Sequence, residues 1–103
     1  MSVRQEILKT LADEYPYLQE HFGIESLRLF GSVAREEDTE ESDIDLLYVF
    51  RDGYSTYDNL FDLHEHLSAL LPKRIELVSE EWSSTRFLSL ALKNAVTISA
   101  GEA

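Results

Sequence analysis

SLRLFGSVAREEDTEESDIDLLYVF, residues 26–50, joins two apolar runs through a polar, acidic stretch. The first run, from Ile24 to Phe30, ends at Gly31-Ser32; the second, from Ile44 to Phe50, follows Asp43 and carries Asp45 inside it. Ten residues separate Ser32 from Asp43. Both runs have strand length, and residues two apart on a strand face the same way, about 6.6 Å apart. Asp43 and Asp45 therefore point to one side, while Ile44, Leu46 and Tyr48 point toward a core. Two short carboxylates at this separation suit a pair of divalent ions, which sit about 3.5–4 Å apart in two-metal sites. Mg²⁺ favours such hard oxygen donors. Burying both aspartates without a cation would be costly through mutual repulsion.

The bend between the runs supplies a second part. Gly31 lets backbone approach a phosphate closely. Ser32 is read as the N-cap of a short helix from Val33 to Glu36, offering its hydroxyl and the following N–H groups to an anion. Glu36 to Ser42 reads as an acidic loop.

Upstream, Ser2 and Gln5 form a capping box, and Val3, Ile7, Leu8 and Leu11 recur on one helical face. A helix is expected from Val3 to Glu14, then a second helical turn, Tyr17 to Phe22, opened by Pro16 and ended by Gly23. Downstream, Asp52-Gly53 marks a turn, and Ser55 or Thr56 caps a helix carrying Tyr57, Leu60, Phe61, Leu63, Leu67, Leu70 and Leu71. Pro72 stops it. KRIELV, residues 73–78, supplies a third strand from Arg74 to Val78. Alternation places Arg74, Glu76 and Val78 on one face, with Ile75 and Leu77 toward the core. Phe87 to Leu92 belong to a last helix, and Val96 to Ile98 form a short closing strand. Interleaved helices and strands predict an α/β (α+β) fold, a small mixed sheet with helices packed on it.

Composition bounds the function. A chain of 103 residues is read as one domain, residues 1–103. An apolar content of 44% excludes wholesale disorder. No run is long enough to span a membrane, and the first residues lack a secretory leader's apolar stretch. The absence of cysteine removes disulfides and thiolate metal sites and suits the cytoplasm. A net charge of −11 argues against duplex DNA or RNA as a primary partner and favours steering toward a basic protein. His64-Glu65-His66 lacks the i,i+4 spacing of a helical zinc pair, and Tyr15, Tyr17, Tyr54, Tyr57 and Trp82 read as core or rim residues.

Gly-Ser-x10-Asp-x-Asp between two apolar runs, with KRIELV downstream, resembles the minimal nucleotidyltransferase (MNT) family of polymerase β-type nucleotidyltransferases. The resemblance implies a polymerase β-like palm, two Mg²⁺ ions and ATP as substrate. It implies Asp43, Asp45 and Glu76 as catalytic and metal-binding residues, and Gly31, Ser32 and Arg35 as nucleotide-binding residues, Arg35 through the family word Gly-Ser-x-Ala-Arg. Glu76 would stand as the third acid and accept the proton of an attacking hydroxyl. The family includes antitoxins of HEPN-domain toxins, so the implied reaction moves AMP from ATP onto a tyrosine hydroxyl of a HEPN partner. The alternatives are a non-catalytic antitoxin that neutralises its partner by complex formation, and a transferase acting on a small molecule. The chain departs from the family pattern at Glu36, where glycine is common, and at Glu76, where aspartate is commoner.

Overall fold

A computed structural model describes residues 2–100. Helix α1 spans Val3–Phe22, strand β1 Ile24–Phe30, the single turn α2 Gly31–Ala34 and strand β2 Ile44–Phe50. Helix α3 spans Tyr57–Leu70, strand β3 Ile75–Ser79, helix α4 Thr85–Ala91 and strand β4 Val96–Thr97. The sheet runs β3-β2-β1-β4. Strand β1 is antiparallel to both β2 and β4, while β2 and β3 are parallel and joined through α3. The expected mixed sheet is present.

Its helices are not all on one face. Leu27 and Leu29 of β1, Ile44 and Leu46 of β2 and Ile75 of β3 bury against Ile7, Leu11 and Leu18 of α1 and Leu63 and Leu67 of α3. On the opposite face Leu47 and Phe30 are buried apart from that cluster. Phe30 meets Phe87 of α4 edge-on, with ring centroids 5.9 Å apart. The second face is thus only partly roofed, and its open part holds the acidic side chains.

The sequence predicts a break in α1 at Pro16. The structure instead carries one helix through it. Proline removes one hydrogen bond and crowds the preceding turn. Continuity is supported by Tyr15 at the expected break and by Leu18 and Phe22 beyond it, which all bury on the core side. The capping box at Ser2 and Gln5 is formed, and Gly23 ends the helix in the left-handed region, φ 68°. Side chains from elsewhere satisfy the terminal carbonyls: Arg51 donates to Gln19 O at 2.7 Å, and Asn59 Nδ2 donates to Phe22 O at 2.8 Å. Thr56 caps α3 through the N–H of Asn59.

Candidate active site

Register aligns the site. Phe30 of β1 lies opposite Asp45 of β2, and Asp45 opposite Glu76 of β3. Partners in register face the same way, about 4.8 Å apart from strand to strand. Phe30, Asp45 and Glu76 thus form one row across the sheet. They line a hollow of about 370 Å³ with Val78, Ser83, Ser84 and Phe87.

Gly31 touches this row. Its φ is +77°, and a Cβ there would sit 2.2 Å from Asp45 Oδ2. Backbone conformation and space both demand glycine. The bend and the aspartate are therefore packed against each other, a closer relation than spacing alone required.

Asp45 is the electrostatically unusual residue. Its pKa is raised to about 6, first by burial, then by the charge of Glu76, a hydrogen bond with Glu76 and the charge of Asp43; Arg35 partly offsets this. Each of these causes disfavours a second negative charge unless a proton or cation accompanies it.

Asp43 lies just before β2 and lines a separate hollow with Arg74. Arg74 Nε donates to its Oδ1 at 3.2 Å. Lys73 Nζ donates to Thr39 O at 2.8 Å, and Thr39 N donates to Ser42 Oγ at 2.8 Å, tying down the acidic loop. Among the described residues, no three Asp, Glu or His side chains converge closely enough to enclose an ion. Three hard oxygen donors within electrostatic reach of one another, one with a raised pKa, nonetheless fit Mg²⁺ in chemistry. His64 Nε2 bonds Ile75 O and His66 Nε2 bonds Glu14, so the two imidazoles are engaged with different partners.

Ser32 does not cap a helix. Phe30 occupies the N-cap position and α2 begins at Gly31, placing Ser32 inside the turn. The reason is that Gly31 enters the turn directly from the strand end. Arg35 extends to Glu37, Nε to Oε2 3.1 Å, rather than reaching across the site. Glu36 adopts φ 58°. This left-handed conformation explains why glycine suits the position. Arg4 of α1 braces the bend, donating to Ala34 O at 3.1 Å and approaching Glu36 at 3.8 Å.

Ser83, Ser84 and Phe87 are walls of the hollow that no motif in the sequence marks. Phe87 belonged to an apolar helical pattern, which could not say that it would meet Phe30. Trp82 and Tyr57, expected in the core or at its rim, are 84% and 92% exposed.

The family model described as polymerase beta, nucleotidyltransferase matches residues 15–100. The protein adenylyltransferase MntA of Thermococcus cleftensis is 32% identical over 98 residues, covering 95% of this chain and 98% of the relative. A solved structure named for a minimal nucleotidyltransferase superposes with a TM-score of 0.76 at 34% identity, covering 93% of this chain and 95% of that one. A chain from the complex of tri-AMPylated Shewanella oneidensis HEPN toxin with MNT antitoxin shares the fold, with a TM-score of 0.57 at 20% identity, covering 96% and 71%. With a strand-end glycine packed on an acidic row and relatives matched nearly end to end, the chain belongs to the MNT branch of the polymerase β-type nucleotidyltransferases.

Proposed function

We propose that this nucleotidyltransferase moves AMP from ATP onto a tyrosine hydroxyl of a HEPN-domain partner and so acts as its antitoxin. The observation that carries the reading is the packing of Gly31 against Asp45 in the same row as Glu76. It sets a bend suited to phosphates beside carboxylates suited to Mg²⁺. The names of the adenylyltransferase relative and of the AMPylated toxin complex support AMP as the group and a HEPN protein as acceptor.

Asp43, Asp45 and Glu76 would hold two Mg²⁺ ions. When bound, the ions would offset charge on the triphosphate and lower the pKa of the acceptor hydroxyl. The chain's own groups do the rest. Backbone N–H groups at Gly31 and Ser32 hold phosphate oxygens, and the Ser32 hydroxyl adds a donor. Arg35 and Arg74 are cations beside the bend and beside Asp43 that screen the triphosphate. Glu76 takes the proton from the acceptor hydroxyl. The acceptor oxygen forms its bond to the α-phosphorus as the α–β bridging bond breaks, and pyrophosphate leaves with that electron pair.

The test incubates the chain with a HEPN-domain protein from the same source genome, ATP and Mg²⁺, and reads the partner's mass. An AMP-sized increase on a tyrosine is expected with wild type and not with Asp43→Ala/Asp45→Ala. The hold of Arg74 on Asp43 favours a second reading, neutralisation by complex formation alone. Equal protection by both proteins with no adduct would establish that reading instead.

A further inference from the structure

An apolar surface lies on the far side of Glu76 from the hollow. Tyr57, at the start of α3, is 92% exposed, Phe61 63% and Trp82 84%. Two grooves meet along Tyr57 and Leu60. One, of about 570 Å³, runs past Tyr48 and Phe50 to Trp82. The other, of about 520 Å³, follows Phe61, Ile75 and Leu77 and ends at Glu76. Glu76 also lines the hollow that holds Asp45. One acidic side chain thus belongs both to the second of these grooves and to the site.

We propose that this aromatic surface is the docking face for the acceptor protein, whose matching surface is apolar and basic. The proposal rests on the acceptor's being a protein, as argued above. Charge selects the partner. Exposed Asp58, Asp62 and Glu65 flank the aromatic side of α3, and Glu81 adjoins Trp82. A second copy would bring the same acidic rim against itself in a chain of net charge −11. Three exposed aromatics at the centre and charges at the rim match the anatomy of protein interfaces.

The docking mode is side-chain recognition rather than strand addition. β3 is an edge strand. Its outward carbonyls at Ile75 and Ser79 are occupied by His64 Nε2 at 2.9 Å and by Ser83 Oγ at 2.6 Å. Among the described residues, of the outward carbonyls between them only that of Leu77 has no side-chain donor, which leaves few acceptors to template a strand. A partner seated on Tyr57, Phe61 and Trp82 meets the site over Glu76, the group assigned to take the acceptor proton.

Trp82 is the chain's single tryptophan, so a 5-fluorotryptophan label gives one ¹⁹F resonance. Adding the HEPN-domain protein should move that resonance; adding ATP and Mg²⁺ alone should not. Tyr57→Ser and Trp82→Ser should each weaken partner binding at least tenfold by calorimetry, leaving ATP affinity and the melting curve unchanged. Asp58→Lys/Asp62→Lys should weaken it severalfold at low salt and less at high salt. Variants that bind within twofold of wild type, while wild type forms the AMP adduct, would overturn the docking face and leave the reaction standing. A wild-type chain that neither binds nor modifies the partner would sink the reaction and this face together. A dimer of the isolated chain that Trp82→Ser dissociates would assign the surface to a second copy and overturn the proposal.

Discussion

At the scale of single residues, Gly31 carries the strongest constraint. Its positive φ and its contact with Asp45 act together. Gly31→Ala should displace the Asp45 carboxylate and destabilise the fold by about 1–3 kcal/mol, the range for a strained backbone position. Transferase activity should fall more steeply than stability, which a melt and an adduct assay on one preparation would separate. Glu36 presents the opposite case. Its φ of 58° is strained for a residue with a side chain, and its contact with Arg4 is long and exposed. Glu36→Gly should therefore stabilise by about 0.5–1 kcal/mol in chemical denaturation. Asp45 supplies the pH dependence. Its folded pKa, about 6, lies above its unfolded value of 3.8. The folded state then binds more protons, so this group's favourable contribution is complete below pH 3.8 and is lost as pH rises through 6. Asp45→Asn should raise the melting temperature at pH 7.5 relative to wild type and change it little at pH 4. If the gain is equal at both pH values, charge is not its cause.

At the scale of elements, the sequence was legible where one residue type has one physical use. Gly23 ended α1, Thr56 capped α3, and the alternation in IDLLYVF and KRIELV set which side chains share a face. Asp45 and Glu76 lie side by side because two strands, each read correctly in period, also pair in register. Local pattern does not determine pairings between chain segments outside that register. Arg74 reaches Asp43 from just before β3, Arg35 bends back to Glu37, and Arg4 arrives from a distant helix. Pro16 was read as a break because proline is costly inside a helix; tertiary burial of Tyr15, Leu18 and Phe22 outweighed that cost. Pro16 is exposed, so Pro16→Ala restores a backbone donor without disturbing the core. It should stabilise by about 1–3 kcal/mol, near the measured cost of proline in a helix interior. No gain in denaturant midpoint would mean that α1 bends at Pro16 by a geometry the fold requires.

At the scale of the whole molecule, charge and shape act together. Twenty acidic against nine basic residues leave −11 on a chain whose Cα radius of gyration is 13.0 Å. Few of the acids are internally neutralised: the Lys9–Asp13 and Arg35–Glu37 pairs are exposed and contribute little. Self-repulsion therefore weakens the compact state at neutral pH, and salt should relieve it. Raising NaCl from about 10 mM, where the Debye length is about 30 Å, to about 1 M, where it is about 3 Å, removes repulsion across the molecule. The melting temperature at pH 7.5 should rise by several degrees over that range. Near pH 4.5, where the carboxylates approach half protonation, the rise should largely vanish. A slope equal at both pH values would show that the salt acts through burial of apolar surface instead. The same screening should slow association with a basic partner, so one salt titration should move stability and capture rate in opposite directions.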